Sequence, residues 1–112
     1  KGLLILESTI KNGKRHGVHK EWYENGQLNN KWNYKYGKKD GVRKKWYRGG
    51  ELNKKDNWKD GKKDGVSKHW YPNGQLNYKQ FYKDHKPYGE LKVWRSNGKL
   101  KYEGDVKNYS PY

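Results

Sequence analysis

The chain contains no cysteine, methionine or alanine, three prolines, and no long hydrophobic run. Without cysteine it has no disulfide framework, no thiolate nucleophile and no cysteine-ligated zinc site. Its longest aliphatic run, Leu3 to Leu6, covers four residues, whereas a membrane span needs ~20 and a signal-peptide core is also longer. The first residue is Lys1 rather than methionine, which indicates a processed product or a fragment.

Aliphatic side chains are also scarce. Only 29% of the 112 residues are hydrophobic, tyrosine included, whereas a globular domain usually has ~45–50% apolar residues when glycine is counted. Six tryptophans, eleven tyrosines and one phenylalanine outnumber the leucines, isoleucines and valines, and the formal net charge is +15. Disordered chains are poor in aromatic residues, so disorder does not fit this composition. The composition predicts a thin, aromatic-rich single domain with a very basic surface.

An internal repeat of 24 residues organises the chain. Four residue types recur at this spacing: Gly17, Gly41, Gly65 and Gly89; Trp22, Trp46, Trp70 and Trp94; Gly26, Gly50, Gly74 and Gly98; and Leu28, Leu52, Leu76 and Leu100. Such regularity means that the units are structurally equivalent. We therefore divide the single domain (1–112) into a partial repeat, three full repeats and a degenerate final repeat, over residues 1–16, 17–40, 41–64, 65–88 and 89–112.

Each unit predicts two strands joined by a tight turn. Type I′ hairpin turns favour Asn-Gly, found here at 25–26, 73–74 and 97–98, and Gly49-Gly50 takes its place in the second full unit. The polar, glycine-flanked segment 37–41 predicts a loop between hairpins. Consecutive hairpins then give an all-β fold, an elongated open antiparallel meander of 24-residue β-hairpin repeats that advances about 9–10 Å per repeat.

Alternation with period two predicts one apolar face. We expect it to carry the following residues: Val18, Trp22, Leu28 and Tyr34; Val42, Trp46, Leu52 and Trp58; Val66, Trp70, Leu76 and Tyr82. Buried aromatic side chains offer roughly 150–250 Å² each, so we expect Trp22, Trp46 and Trp70 to be core residues rather than a ligand platform. The tyrosine that directly follows each of these tryptophans should point to the other face of the sheet. Three such tyrosines are candidates for an exposed contact surface, although strand tyrosines also stabilise cross-strand pairs. These are Tyr23, Tyr47 and Tyr71.

Catalysis needs a constellation of reactive residues, and the repeat supplies none. The four histidines occupy unmatched repeat positions, and the serines stand in no nucleophile motif. Asp40 and Asp64 fit turn chemistry better than calcium binding, and the acidic residues are too scattered for an oxygen-ligand cage. We predict a protein that is not an enzyme and has no cofactor or metal site.

The basic residues also follow the repeat. We expect Lys14-Arg15, Lys38-Lys39 and Lys62-Lys63 to stack along one edge of the sheet, with Lys86 in the next place. A second series recurs on the return strands, at Lys35, Lys59, Lys83 and Lys107, with Lys31, Lys55 and Lys79 four residues earlier. Cations at ~10 Å intervals suit an extended polyanion or an anionic surface, but lysines also protect open sheet edges and aid solubility. The candidate binding residues are Lys14, Arg15, Lys38, Lys39, Lys62, Lys63, Tyr23, Tyr47 and Tyr71.

The motif YKxGKKDGVxKxWYxNGQL resembles the MORN-repeat variant of bacterial proteins, including the YwqK-type antitoxin family. The likeness extends from about Ile10 to Leu100, whereas Lys1 to Glu7 have no counterpart and the last ten residues depart from the pattern. The resemblance implies an open array of β-hairpins and a binding or scaffolding module that contacts proteins or acidic phospholipids. The antitoxin resemblance implies neutralisation of a toxin by direct binding.

Three functions remain open from the sequence. The first is a protein-binding module, such as an antitoxin or immunity protein, whose basic surface engages an acidic partner. The second is binding of a polyanion, either an acidic phospholipid surface or nucleic acid; lysine outnumbers arginine 23 to four, which favours diffuse attraction over base readout. The third is glycan binding at a cell wall, because Trp-Tyr-x-Asn-Gly is similar to wall-binding repeats with shorter spacing and denser aromatics.

Two further points follow from the open sheet and the composition. Exposed sheet edges allow self-association. A chain without cysteine gives no information about the redox compartment. The protein could therefore be located in the bacterial cytoplasm, in the cell envelope or outside the cell.

Overall fold

The structure, a computed structural model, describes residues 5–7 and 10–109, with side chains from residue 10 onward. Its strands are β1 (Ile5–Glu7), β2 (Ile10–Lys11), β3 (Lys14–Arg15), β4 (Gly17–Trp22), β5 (Leu28–Lys35), β6 (Lys38–Lys39), β7 (Gly41–Trp46), β8 (Leu52–Lys59), β9 (Lys62–Lys63), β10 (Gly65–Trp70), β11 (Leu76–Lys83), β12 (Lys86–Trp94) and β13 (Leu100–Asp105). A one-turn 3-10 helix, Val106–Asn108, follows β13. No helix in this part of the chain is long and apolar enough to cross a membrane.

Eleven of the described strands form one antiparallel sheet. The order along its main path is β1-β4-β5-β7-β8-β10-β11-β12-β13, with β6 paired to β5 and β9 paired to β8. Strands β2 and β3 form a separate small hairpin. The strands of the main path follow one another in chain order, and the Cα atoms extend over 44 × 33 × 18 Å. The predicted all-β antiparallel meander of hairpin repeats is confirmed.

Strand β1 belongs to the repeat pattern. Glu7 pairs with Lys20 in the backbone register, as Lys31 pairs with Lys44 one repeat later. Strand β1 is therefore the return strand of the partial first repeat. The expectation that Lys1 to Glu7 have no counterpart is wrong for residues 5–7, and residues 1–4 lie outside the described residues.

The Asn-Gly corners are three-residue loops rather than two-residue turns. In the first full repeat the Gly26 N–H donates to the Tyr23 carbonyl at 3.0 Å, and the Tyr23 N–H donates to the Gln27 carbonyl at 2.8 Å. Gly26 has a φ of +87°, and the Asn25 side-chain oxygen accepts the Gln27 N–H at 2.9 Å. A type I′ turn needs positive φ at both central residues, which Asn25 lacks, so the predicted turn type is wrong. The asparagine acts as a side-chain acceptor instead.

Two-residue turns occur at the other end of each hairpin, where the sequence predicted a polar loop. Tyr36 and Gly37 have φ values of 51° and 85°, both positive as a type I′ turn requires. Strand β6 then pairs with the end of β5, so residues 37–41 are not a loop. The loop prediction is wrong because the two lysines continue the backbone ladder. Asn12-Gly13 and Asp60-Gly61 show the sequence signature of this turn more clearly.

A β-bulge at each corner exchanges the two faces of the return strand. Trp22 lies opposite Leu28, but Glu21 lies opposite Asn30, so Asn29 is an extra residue in β5. The same shift occurs in the next three hairpins. The leucine of each repeat therefore shares a face with the tryptophan, while the second aromatic residue lies on the opposite face. The predicted single apolar face is wrong, because a one-residue shift moves every later side chain to the other side.

The sheet consequently has two chemically different faces. The polar-core face carries His19, Glu21, Asn30, Trp32, Tyr34 and their equivalents in later repeats, and the lysine face carries Val18, Lys20, Trp22, Leu28, Lys31 and theirs. His19 is 3% exposed, whereas Val18 and Val42, expected in the core, are both 43% exposed. The tryptophans expected in the core, Trp22, Trp46 and Trp70, are half-buried on the lysine face.

Cross-strand pairs with at least one buried member form a central row on the polar-core face. The pairs are His19 with Trp32, Arg43 with Asp56, Ser67 with Gln80, and Leu91 with Gly104. Among the described residues, Leu91 is the one hydrophobic residue in the buried class. The charged pair in the row has internal partners: Arg43 Nη1 donates to Asp56 Oδ2 at 3.1 Å, and Arg43 Nη2 donates to Asn30 Oδ1 at 3.2 Å. Such bonds offset the cost of burying polar groups.

Three equivalent tyrosines join each repeat to the next. The hydroxyl of each donates to a tryptophan carbonyl in the following repeat: Tyr23 to Trp46 at 2.8 Å, Tyr47 to Trp70 at 2.6 Å, and Tyr71 to Trp94 at 2.8 Å. All three tyrosines are half-buried. They therefore serve as contacts between repeats.

Replacing Tyr47 with phenylalanine removes one bond between repeats and nothing else. We expect the free energy of unfolding to fall by about 1 kcal/mol, the usual net contribution of one such bond. Urea denaturation followed by tryptophan fluorescence measures the change. Tyr36→Phe is the matched control, because Tyr36 is 60% exposed and its hydroxyl bonds to no described residue. An equal loss in both variants would contradict the structural role of Tyr47.

The buried Arg43–Asp56 pair offers a second test of the structure. The equivalent positions in the next repeat hold an uncharged pair, Ser67 and Gln80. Arg43→Ser leaves Asp56, 3% exposed, without its cation and should cost about 3–5 kcal/mol. Adding Asp56→Gln copies the Ser67–Gln80 pair and should recover most of that loss. A double-mutant cycle from urea denaturation gives the coupling energy. If the double variant is no more stable than Arg43→Ser alone, the two repeats are not equivalent at this position.

Candidate functional site

The six predicted basic residues follow the two-residue turns, which stack on one another at one side of the molecule. The turn edge, as we call it, consists of Lys14, Arg15, Lys38, Lys39, Lys62 and Lys63, which form the short strands β3, β6 and β9. Each turn packs on the one before: the Gly37 N–H donates to the Arg15 carbonyl at 2.9 Å, and the Gly61 N–H donates to the Lys39 carbonyl at 2.8 Å. A Cβ placed on Gly37 would lie 3.6 Å from Lys14 Cδ, so the methylene stem of Lys14 lies against this glycine.

The two members of each basic pair have different environments. Arg15, Lys39 and Lys63 lie over aromatic rings of the polar-core face. The distances to the ring centroids are 5.4 Å from Arg15 Cζ to Tyr34, 5.0 and 4.8 Å from Lys39 Nζ to Trp32 and Trp58, and 4.9 Å from Lys63 Nζ to Tyr82. These cations stabilise the packing of one repeat on the next. Lys14, Lys38 and Lys62 are exposed and make no ion pair with a described residue, so they are the members free to meet a partner.

The turn edge carries both signs of charge. A shallow cleft of about 440 Å³ is lined by Lys38, Lys59, Lys62 and Lys83 together with Asp60, Asp64 and Asp84. The nearby aspartates reduce the local positive potential, so this edge is a pattern of alternating charges rather than a uniformly basic patch.

The structure places the three tyrosines of the predicted site away from full exposure. Tyr23, Tyr47 and Tyr71 are half-buried, their hydroxyls are used between repeats, and burial raises the pKa of Tyr47. The expected exposed tyrosine surface is therefore not what the structure shows. A role for these rings in binding stays a prediction.

The lysine face holds a cationic row that the sequence analysis did not assemble. Seven lysines lie directly opposite one another on adjacent strands β4, β5, β7, β8, β10, β11 and β12: Lys20, Lys31, Lys44, Lys55, Lys68, Lys79 and Lys92. We call this set the lysine row. Facing residues of an antiparallel pair point to the same side, so all seven side chains lie on one face. Strand spacing of ~4.8 Å gives the row a length of about 29 Å.

A sequence signal for the lysine row existed. Lys31, Lys55 and Lys79 were recognised as a series, but Lys20, Lys44, Lys68 and Lys92 recur at the same 24-residue spacing. The two series interleave only when the strand register is known. Glu7 and Glu103 occupy the next register positions at the two ends, so the run of lysines has defined limits.

The polar-core face is also cationic near its middle. Burial, together with neighbouring Arg43 and Lys54, lowers the pKa of Lys45. Burial and Lys54 likewise lower the pKa of His69, with a smaller opposing effect from Asp56. The Lys45 ammonium donates to Asn29 Oδ1 at 3.2 Å, so its role is to hold the bulge of the preceding repeat.

An open cleft of about 450 Å³ at the C-terminal end of the polar-core face is lined mainly by aromatic and aliphatic side chains, including Tyr78, Tyr82 and Leu91. Burial raises the pKa of both tyrosines. Ser67 is 2% exposed and its hydroxyl has no hydrogen-bond partner, so it lacks the base that activates a serine nucleophile. The described residues include no group of three acidic or histidine side chains that could hold a metal ion.

Comparison with known families agrees with the repeat seen in the structure. The family model described as the MORN repeat variant matches four segments, residues 15–36, 39–60, 63–84 and 87–108. A comparison with curated proteins gives no match. The four segments cover more than half of the chain, and their starting points keep the spacing of the hairpins. The chain belongs to the MORN repeat variant family.

Proposed function

We propose that the chain is a binding module that associates with a protein partner carrying an acidic surface. Repeats of this family are generally non-catalytic binding modules. The observation that supports a basic binding surface is the line of Lys14, Lys38 and Lys62 along the turn edge, exposed and without ion pairs to described residues. Complementary charge accelerates the encounter of two proteins and selects the partner.

The mixed charge of the turn edge favours a folded protein over a uniform polyanion. Asp60 and Asp84 are exposed between the lysines and would repel a partner that carries negative charge alone. A folded partner can present acidic groups to the lysines and basic groups to the aspartates, which gives specificity as well as attraction.

Within this function we propose the role of a bacterial antitoxin or immunity protein that neutralises a toxin by direct binding. The support is the resemblance of the repeated motif to the YwqK-type antitoxin family. Direct neutralisation needs a complementary surface and no reactive group, and the turn edge would supply the charged part of that surface. The neighbouring gene in the native genome is then expected to encode the toxin.

The proposed function predicts a complex with the product of that neighbouring gene. We expect co-expression to restore growth, and the purified proteins to form a complex whose Kd rises with salt. The triple variant Lys14→Glu, Lys38→Glu, Lys62→Glu should raise the Kd at least tenfold, because it reverses the three free cations of the turn edge. Isothermal titration calorimetry at two salt concentrations measures both effects.

Arg95→Glu, Lys99→Glu and Lys101→Glu together form the matched control. These residues are exposed, and the control changes the net charge by the same amount at the C-terminal end of the sheet. Its Kd should stay within twofold of the wild-type value. Failure of the wild-type chain to bind the neighbouring gene product contradicts the antitoxin role, and equal losses in both variants contradict the turn edge as the interface.

A second candidate function, electrostatic binding of a polyanion such as an acidic phospholipid surface or nucleic acid, is favoured by a different observation. The lysine row contains no acidic residue between Lys20 and Lys92, in contrast to the turn edge.

A further inference from the structure

We propose that the lysine row, with the tryptophans beside it, is a binding track for single-stranded nucleic acid that does not depend on base sequence. The proposal deepens the second candidate function above and concerns a surface separate from the turn edge. Its starting point is the geometry of the lysine row, a single line of seven cations on adjacent strands.

The lysine row is electrostatically unsatisfied within the described chain. Like charges directly opposite one another in a sheet are destabilising, and here the arrangement is repeated without interruption on seven strands. Of the seven lysines, Lys92 has an ion pair, with Glu103 at 3.5 Å, and Lys79 lies 5.6 Å from the Phe81 ring centroid. The small cleft beside Val42 is lined by Lys31, Lys44 and Lys55. Negative charge from outside would relieve this repulsion.

The shape of the row favours a linear polyanion. The row is one lysine wide and about 29 Å long, with cations at the ~4.8 Å strand spacing. Glu7 and Glu103 hold the next register positions, so the cationic run begins and ends within the sheet. A single strand of nucleic acid is a line of phosphates with the flexibility to follow such a row, and known sites hold ~4–16 nucleotides.

Indole rings flank the row on one side. Trp22, Trp46, Trp70 and Trp94 each lie two residues after a lysine of the row, on the same strand and the same face, about 6.5 Å farther along. None of these indole N–H groups bonds to a described residue, and none is among the buried polar atoms without a partner, so they reach solvent. Phosphates on the lysines would therefore place bases over indole edges and faces, the combination that single-strand binding sites use.

The apolar side chains of the same face are only partly exposed, which favours a polyanion in solution over insertion into a bilayer. The tryptophans of the face and Leu28, Leu52 and Leu76 are half-buried, and its most exposed apolar residues are Val18 and Val42 at 43% and Leu100 at 48%. A membrane-binding surface presents apolar side chains that enter the acyl boundary. Lysine outnumbers arginine, and its ammonium group suits contact with phosphates. It lacks the planar guanidinium group with which arginine makes paired hydrogen bonds to base edges.

Fluorescence anisotropy with a labelled twelve-nucleotide thymidine oligonucleotide tests the proposal. We expect binding at 50 mM salt that quenches tryptophan fluorescence. The logarithm of the association constant should fall linearly with the logarithm of salt concentration. The slope should be about −3.5 or steeper, because each neutralised phosphate of a single strand contributes ~0.7 and the row should neutralise about five or more. A twelve-base-pair duplex should bind more weakly, since its stacked bases cannot reach the indoles.

The decisive variant is Lys44→Gln, Lys55→Gln, Lys68→Gln, from the centre of the row. It should bind the oligonucleotide at least tenfold more weakly, and its salt slope should be shallower by about 2. Removing like charges does not threaten the fold, which circular dichroism verifies. The matched control Lys14→Gln, Lys38→Gln, Lys62→Gln removes the same charge from the turn edge and should bind within twofold of wild type.

Four results would overturn the proposal: no binding of the oligonucleotide by the wild-type chain at 50 mM salt, equal losses in the two variants, tighter binding of the duplex, or sedimentation with phosphatidylserine vesicles without oligonucleotide binding. The last result would assign the lysine row to a lipid surface. Each can occur whether or not the neighbouring gene product binds the turn edge, so the two proposals fail separately.

Discussion

The position of the bulge at each hairpin corner determines almost everything else in this sheet. One extra residue, Asn29 in the first full repeat, decides which side chains of the following strand meet those of the strand before. Without it Leu28 and Trp32 would share a face; with it they are on opposite faces, and lysine faces lysine across the sheet. Because the bulge recurs in all four hairpins, each repeat inherits the same two surfaces.

A single layer cannot enclose an apolar core. Two other kinds of interaction stabilise the fold: paired side chains on the polar-core face and contacts between successive repeats. Along the polar-core face, paired side chains such as Arg43 and Asp56 satisfy each other, so burial does not leave charges alone. Between repeats, tyrosine hydroxyls, stacked turns and cations over aromatic rings supply contacts with the next unit. This explains how a chain with 29% hydrophobic residues and no cysteine holds its repeats together. Stability is then a sum of equivalent neighbour contacts, as in other repeat proteins.

The sequence was sufficient for the architecture because the period is strict and each corner contains glycine. It was insufficient for the faces, since a bulge has no residue signature here: Asn29 looks like any strand residue between Leu28 and Asn30. The turn edge could be foreseen, because Lys38 and Lys39 are adjacent in sequence, although which of the two remains free depends on the ring that Lys39 meets. The lysine row could be foreseen only as two separate series with the 24-residue spacing, because Lys20 and Lys31 become neighbours only through the register.

Because the repeats are equivalent, the length of the lysine row depends on how many of them the chain contains. Each 24-residue unit adds two strands and two lysines to the row, about 9.6 Å of length, without creating a new kind of contact. Duplication or loss of one unit in the gene would thus lengthen or shorten the cationic surface in fixed increments while leaving every junction the same. The number of hairpins therefore determines the number of lysines in the row, and this number can change by duplication or deletion of whole repeats.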